Sequence, residues 1–246
     1  MISSYGDFFY TYIHIMNYES YILAFWPHPD DIEAGAGGAL ITSARAGKRN
    51  IAIDLTPSQM STRWTVETRL QESQDAALLL WLSERKNMHM EDGCIYDTCA
   101  YRKKIAHEIR LYKPEIVLIP WSVDRHPDHE NTAQLVKNAV FMAWLEKIQT
   151  DGLAPHKPRL LLHYMIFHTF EPDFIIPLDN DVFELKMKAL QTYYSQHDTN
   201  KRSFDMMKAR HVMHWAEIGS HYGEWYKTYS HSIWVKSFDD VTSWFF

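Results

Sequence analysis

Two short segments of the chain carry the residue types best suited to chemistry. The first is Pro27–Glu33 (PHPDDIE), and the second is Asp124–His129 (DRHPDH), about a hundred positions later. Each brings imidazoles and carboxylates within a few positions, and each follows an apolar, strand-like run. Two histidines and one carboxylate can hold a zinc ion and leave a position open for water. A further histidine and carboxylate remain for proton transfer and charge stabilisation, so the set suits metal-assisted hydrolysis.

A predicted strand directly precedes each of these two segments. Tyr21–Phe25 ends at the first, and Glu115–Pro120 ends at the second. The alternation of strands with helices predicts an α/β fold with a mostly parallel sheet flanked by helices. Sites in such sheets form beyond the carboxyl ends of strands, so we expect the segments to converge there. The other predicted strands are Asn50–Leu55 and Leu160–Phe167, and the predicted helices are Gly35–Ala46, Thr65–Leu82, Tyr101–Tyr112, Asn131–Ile148 and Asp181–Tyr194.

Composition favours one soluble domain. The chain has 246 residues, of which 46% are hydrophobic and 23% charged, and it has no repeat or evident linker. We therefore expect a single domain over residues 1–246, with residues 1–20 as an N-terminal extension. The net charge of −6 gives no basic footprint for nucleic acid. No apolar run approaches the roughly 20 residues of a membrane-spanning helix.

The cysteines and glycines exclude other sites. Cys94 and Cys99 form C-x4-C, which supports neither a redox motif nor a thiolate zinc site, and a reducing, cytoplasmic setting fits best. The run Gly35–Gly38 resembles a dinucleotide loop, but Leu40 breaks the G-x-G-x-x-G pattern. We expect these glycines to let a helix start pack close to a strand.

Several motifs together resemble those of a known family. His28-Pro29-Asp30-Asp31 followed by Gly37-Gly38, with His126-Pro127-Asp128-His129, is similar to the PIG-L/LmbE-like N-acetylglucosaminyl deacetylases. The similarity covers roughly Tyr21 to Asp240. It is greatest to the branch of bacillithiol synthesis, through Asp54-Leu55-Thr56, Glu67-Thr68-Arg69, Asp124-Arg125-His126, Glu171-Pro172-Asp173-Phe174 and Tyr194-Ser195-Gln196.

The resemblance implies a Rossmann-like fold with a single Zn²⁺ site, which Fe²⁺ could also occupy. The implied metal ligands are His28, Asp31 and His129. Asp30 is the implied general base that activates a metal-bound water. His126 is implied to stabilise the oxyanion and to be able to protonate the leaving amine.

Further roles follow from the same resemblance. Asp128 is implied to orient a ligand histidine, a task that metal sites commonly need. Arg69, Asp92 and Arg125 are the implied substrate contacts. Each also has an ordinary structural reading: Arg69 as a solvated helix residue paired with a nearby glutamate, Asp92 as a turn residue and Arg125 as a surface charge.

The implied activity is hydrolysis of the N-acetyl group of an N-acetylglucosaminyl compound, most specifically N-acetylglucosaminyl-malate in bacillithiol synthesis. The family also implies a homo-oligomer whose other partner is this small-molecule substrate. Two alternatives remain: a deacetylase of another N-acetyl sugar, such as a chito-oligosaccharide or antibiotic precursor, and a non-catalytic sugar- or metal-binding homologue. The presence of both Asp30 and His126 argues against the latter.

The chain departs from the family pattern near the predicted pocket. Trp26-Pro27 stands where the family has a small residue before its first motif. In the loop Pro57–Trp64, three family glycines are replaced by Ser58, Ser61 and Trp64. The metal chemistry is thus expected to persist, while the substrate is open. Arg63, Arg69 and Arg125 are the candidates to bind a malate carboxylate, and His211, His214 and His221 receive no role.

Overall fold

The computed structural model describes residues 19–62, 64–197, 201–212 and 219–229. Its strands are β1 (Ile22–Trp26), β2 (Asn50–Asp54), β3 (Glu84–Asn87), β4 (Ile116–Pro120), β5 (Leu160–Tyr164), β6 (Phe174–Leu178) and β7 (Tyr222–Thr228). Its helices are α1 (Asp31–Arg45), α2 (Val66–Leu79), α3 (Cys99–Tyr112), α4 (Pro127–Trp144), α5 (Asn180–Gln191), α6 (Tyr194–His197) and α7 (Lys201–His211).

The strands form one sheet in the order β3-β2-β1-β4-β5-β7-β6. β1 to β5 pair in parallel, whereas β7 runs antiparallel to both β5 and β6. Helices cover both faces: α1 packs on α5 on one side, and α3 packs on α4 on the other. The predicted α/β fold with a mostly parallel sheet is confirmed.

Sheet topology explains how the two segments meet. β1 and β4 are neighbours, with Ile22 opposite Ile116 and Ala24 opposite Leu118. From β1 the chain extends the sheet through β2 and β3, and from β4 it extends the sheet the other way through β5. Because the connections diverge, a crevice opens beyond the carboxyl ends of β1 and β4. Both segments enter that crevice.

Two helices begin earlier than the sequence predicts. α1 begins at Asp31 rather than Gly35, and α4 begins at Pro127 rather than Asn131. The helix dipole favours acidic residues in the first turn, and proline fits the first helical position because its missing N–H would have no partner there. The two segments therefore lie partly in the first turns of α1 and α4.

Three strands were not predicted from the sequence: β3, β6 and β7. β3 has the sequence ERKN, which gives no apolar alternation, yet it pairs with β2 at the sheet edge. β6 contains Pro177, which an edge strand tolerates because one side of its backbone needs no ladder partner. The strand predicted at Leu160–Phe167 ends at Tyr164.

Glycines bring α1 close to the sheet, as expected. A Cβ on Gly35 would lie 2.3 Å from Cδ2 of Tyr164, and a Cβ on Gly38 would lie 2.5 Å from Cδ1 of Leu178. Larger residues at these positions would push α1 off β5 and β6. The segment thus serves helix packing rather than a dinucleotide.

Some predictions concern residues outside the described ranges. These are residues 1–18 of the N-terminal extension, Arg63 and His214. Within the described ranges, no helix combines the length and the apolar character needed to cross a membrane. Cys94 and Cys99 are free thiols.

Candidate metal centre and active site

A cavity of about 460 Å³ opens in the crevice beyond β1 and β4. Its volume falls within the usual range of roughly 300–1,000 Å³ for small-molecule sites. All of the predicted site residues except Asp128 line it. They are His28, Asp30, Asp31, Arg69, Asp92, Arg125, His126 and His129. Asp128 is buried directly behind His28.

His28 lies between carboxylates on both sides of its ring. Its Nδ1 is 3.3 Å from Oδ2 of Asp31. Its Nε2 is 3.1 Å from Oδ1 of Asp92 and 3.4 Å from Oδ2 of Asp128. The imidazole therefore presents one nitrogen to Asp31, while the opposite nitrogen is held by two aspartates.

His129, in the first turn of α4, also lies between two carboxylates. Its Nε2 is 3.3 Å from Oδ2 of Asp31, and its Nδ1 is 3.3 Å from Oδ1 of Asp124. Phe167 stacks on the ring, with centroids 5.6 Å apart and planes at 12°. One oxygen of Asp31 thus faces a nitrogen of each histidine, and a further carboxylate oxygen lies 3.1–3.4 Å from the far nitrogen of each.

These distances fit a metal ion. Ligand atoms about 2.0–2.2 Å from a tetrahedral Zn²⁺ lie roughly 3.3–3.6 Å from each other, and Asp31 Oδ2 lies 3.3 Å from a nitrogen of each imidazole. Carboxylates on the outer nitrogens of ligand histidines are the usual support in metal sites. Two groups of described residues bring three possible ligand atoms within 4.8 Å of one another, His28 with His126 and His129, and His28 with Asp92 and Asp128, and neither group includes Asp31.

The charge of the centre also suits a cation. Although burial opposes a charged imidazole, the facing carboxylates raise the pKa of His28 well above its ordinary value and raise that of His129 to about 9. Burial alone would raise the pKa of Asp31, but His129 and His28 lower it. The two imidazoles therefore hold protons that a divalent cation would displace on binding.

Asp30 lies between the predicted metal ligands His28 and Asp31 in the sequence, and its backbone is strained. Its φ of 110° is unusual for a residue with a side chain, and it precedes the first turn of α1. Burial raises the pKa of its carboxyl to about 7, although the Arg69 guanidinium acts to lower it. A carboxyl with a raised pKa is suited to exchange a proton near neutral pH.

Arg69 is buried and fixes Asp30, so it is not the solvated helix residue of the structural alternative. Its Nη2 donates to the carbonyl of Pro29 at 2.6 Å and to Oδ2 of Asp30 at 3.2 Å. Its Nη1 donates to Oγ of Ser195 at 3.3 Å. Ser195 is in turn bonded to Glu72, through Oγ to Oε2 at 2.6 Å and through its N–H to Oε1 at 2.9 Å. α2 and α6 thereby hold the loop of the first motif.

His126 caps α4 with its side chain. Its Nδ1 accepts the N–H of Asp128 at 3.2 Å, so the proton of the neutral imidazole is on Nε2. Burial and the neighbouring His28 and His129 lower its pKa. The ring lies 4.7 Å from that of His28, centroid to centroid, and lines the cavity. Its Nε2–H is therefore a donor held close to the candidate metal centre.

The remaining predicted contacts differ in their partners. Asp92 is buried, and both of its oxygens meet protein groups, since Oδ2 also accepts the N–H of Met60 at 3.0 Å. Arg125 is exposed, and its guanidinium carbon lies 3.8 Å from the ring centroid of Phe167. Asp92 is thus placed to support His28, while Arg125 remains accessible to an anionic group at the cavity rim.

Residues 23–140 match the family model described as PIG-L, GlcNAc-PI de-N-acetylase. The structure of a conserved protein of Thermus thermophilus aligns with a TM-score of 0.83 and 30% identity, over 88% of this chain and 98% of that one. This chain belongs to the PIG-L family.

Two PIG-L relatives carry names that specify a substrate. Diacetylchitobiose deacetylase of Thermococcus kodakarensis is 29% identical over 186 residues, which are 71% of this chain and 69% of that protein. The structure of N,N'-diacetylchitobiose deacetylase of Pyrococcus horikoshii aligns with a TM-score of 0.78 and 22% identity, over 98% of this chain and 99% of that one. The second match shows the shared fold.

Sequence reasoning assigned no role to Asp124, which supports His129 in this PIG-L chain. Asp124 also accepts the N–H groups of His126 at 3.0 Å and of Phe167 at 3.3 Å. Its position directly before Arg125-His126, at the end of a buried strand, was a usable signal. Phe167 gave no such signal, because it is a single aromatic residue beyond the end of β5.

Proposed function

We propose that this protein is a metal-dependent N-deacetylase of N-acetylglucosaminyl compounds, with Zn²⁺ as the cation held by His28, Asp31 and His129. The observation that carries the proposal is Oδ2 of Asp31 at 3.3 Å from a nitrogen of each histidine, with Asp30 and His126 on the same cavity. Membership of the PIG-L family supports the reaction class.

The cation would supply polarisation of the acyl carbonyl and activation of water. Asp30 would take the proton from the attacking water, because its carboxyl lines the cavity next to Asp31. Arg69 would keep that carboxyl oriented through its 3.2 Å hydrogen bond.

His126 would stabilise the oxyanion of the tetrahedral intermediate. The backbone N–H of Asp128 occupies its Nδ1, so its Nε2–H is the group free to donate. A neutral imidazole with that tautomer donates a hydrogen bond rather than a proton. Asp30, once protonated by the water, would then pass the proton to the leaving amine.

Two substrates are candidates. N-acetylglucosaminyl-malate fits the motifs shared with the bacillithiol branch, and the exposed Arg125 at the cavity rim could bind its malate carboxylate. N,N'-diacetylchitobiose is favoured by the 29% identical relative of that name. Both require the same metal centre, so they differ only in the group that lies outside it.

The test is amine release from N-acetylglucosaminyl-malate, N,N'-diacetylchitobiose and N-acetylglucosamine, before and after metal stripping and after addition of Zn²⁺ or, without oxygen, Fe²⁺. We expect release that is lost on stripping and restored by metal. Preference for the malate conjugate would support a role in bacillithiol synthesis. Preference for the disaccharide would support the hypothesis that the substrate is a chito-oligosaccharide. Stoichiometric metal without release from any of the three would contradict the proposal and favour a non-catalytic homologue.

A further inference from the structure

Two exposed aromatic rings meet beside the mouth of the cavity. Trp64 is 42% exposed and Tyr194 is 56% exposed, and their ring centroids are 5.5 Å apart with planes at 88°. Ser61 lines the cavity three positions before Trp64, and Tyr193 and Gln196 line it on either side of Tyr194. Trp64 and Tyr194 are not part of the cavity lining, but each lies within three positions of residues that are.

Hydrogen bonds fix the backbone segments that carry Trp64 and Tyr194. Trp64 directly precedes Thr65, whose side chain caps α2 by accepting the N–H of Thr68. Tyr194 directly precedes Ser195, which is bonded twice to Glu72 of α2. Both rings thus belong to segments fixed on the same helix, so a ligand would not have to order them on binding.

Large aromatic side chains exposed together at a cavity mouth indicate a contact with a ligand. Met60, 69% exposed, adds apolar surface on the cavity wall. A pyranose ring has an apolar face of C–H groups and a polar edge of hydroxyls. Aromatic rings with water on one side match both, because they bury the C–H face and leave the hydroxyls hydrated.

We propose that Trp64 and Tyr194 form an outer sugar subsite, which binds the pyranose ring attached to the N-acetylglucosamine unit undergoing deacetylation. This inference rests on the proposed function, since it places the acetylated ring in the cavity. It favours a disaccharide over a malate conjugate, because malate offers no ring to stack. In the resemblance described above, Trp64 replaces a glycine of the family pattern, so the Trp64 half of the subsite is a feature of this chain.

The test compares Trp64→Ala and Tyr194→Ala with wild type on N,N'-diacetylchitobiose and on N-acetylglucosamine. We expect kcat/KM for the disaccharide to fall about 10-fold in each variant through KM, which corresponds to the loss of one aromatic contact. The monosaccharide should be affected by less than about 2-fold. Trp144→Ala is the matched control, because Trp144 is 49% exposed at the end of α4.

Equal losses on both sugars, or no loss on either, would overturn the subsite. So would a change in oligomer mass in Trp64→Ala by light scattering, which would make the rings a protein contact. A second measurement separates this inference from the proposed function: calorimetric binding of N,N'-diacetylchitobiose to metal-loaded Asp30→Asn. Binding that weakens on adding Trp64→Ala supports the subsite even if wild type shows no turnover, whereas binding independent of Trp64 overturns it.

Discussion

At the scale of single residues, the orientation of Asp30 depends on a chain of buried groups. Glu72 holds Ser195, Ser195 holds Arg69, and Arg69 holds both Asp30 and the carbonyl of Pro29. Each member of this chain is buried except Asp30, which is half-buried at the cavity. The charged ends of Glu72 and Arg69 would therefore lose a partner if Ser195 lost its hydroxyl.

We predict that Ser195→Ala lowers the free energy of unfolding by about 1–3 kcal/mol, because it leaves buried charged groups short of a hydrogen bond. It should also lower kcat with little change in KM, since Asp30 would be held less firmly. Urea denaturation and steady-state kinetics would measure the two effects. Ser122→Ala, at an exposed serine, is the control. A rise in KM at constant kcat would show that Ser195 serves substrate binding instead.

Much of the site could be predicted from residue types and spacing. His28, Asp30, Asp31, His126 and His129 all line one cavity, as their positions after two predicted strands indicate. The partners of the histidines were harder to foresee. The resemblance implied that Asp92 contacts the substrate, whereas its contact with His28 joins residues 64 positions apart, so no local pattern predicts that pairing.

At the scale of elements, α1 approaches the sheet because glycines face β5 and β6. We predict that Gly35→Ala lowers the free energy of unfolding by about 2 kcal/mol, since the new methyl would meet Tyr164 at 2.3 Å. Gly37→Ala is the matched control in the same helix. There the nearest atoms are side-chain carbons of Lys186 and Leu80 at 3.2 Å and 3.3 Å, and the gain in helix propensity of about 1 kcal/mol offsets the crowding. Equal destabilisation of both variants in urea would contradict this account of α1.

A buried polar cluster joins α1, α5, α7 and β7. Glu224 accepts the N–H groups of Gly38 and Ala39 at 2.7 Å and 2.8 Å, and it pairs with Lys186 at 2.5 Å. His211 donates from Nδ1 to the carbonyl of Met207, so its Nε2 accepts from Lys186 at 2.7 Å. Burial and the Lys186 ammonium lower the pKa of His211 to about 3.

We predict that His211 makes the protein less stable as the pH falls. Its pKa is lower in the folded state than the ordinary 6.5, so the unfolded chain binds more protons between about pH 6.5 and 3, and folding stability decreases over that window. Metal-free wild type should lose up to about 1.4 kcal/mol per pH unit more than His211→Gln, in which the amide oxygen can accept from Lys186. Urea midpoints from pH 4 to 7 would measure this. Parallel pH curves for the two proteins would show that His211 does not titrate as described.

The order of helices and strands was readable, but parts of the sheet were not. Apolar runs predicted β1 and β4, as expected of strands buried on both faces, whereas alternation with β-branched residues predicted β2. β3 escaped notice since its residues are polar, and Arg85 within it is buried only because Asp54 and Glu33 neutralise it, at 2.8 Å and 2.5 Å. Such long-range pairing leaves no mark in the local sequence.

At the scale of the whole molecule, the candidate metal centre joins the two halves of the sheet. His28 and Asp31 follow β1, and His129 follows β4, where the strand order reverses. A bound cation would therefore link the first and second halves of the fold. Binding to the folded state alone stabilises a protein by about 2.7 kcal/mol when free metal is at 100 times its dissociation constant.

We predict that Zn²⁺ at that ratio raises the thermal midpoint of the stripped protein by about 5–10 °C. His28→Ala should abolish the rise, because it removes a ligand. His89→Ala, at an exposed histidine, should keep it. Differential scanning calorimetry would measure the shifts. An equal rise in His28→Ala and wild type would place the cation elsewhere.

The most direct test of metal-dependent deacetylation with Asp30 as general base is to measure turnover and metal content of Asp30→Asn side by side with wild type. Asp30 lies next to Asp31 but outside the proposed ligand set. We expect unchanged, stoichiometric metal in Asp30→Asn and a fall in the deacetylation rate of at least about 100-fold, the usual contribution of a general base. Turnover at the wild-type rate with metal bound would contradict the assignment of Asp30 and the mechanism built on it.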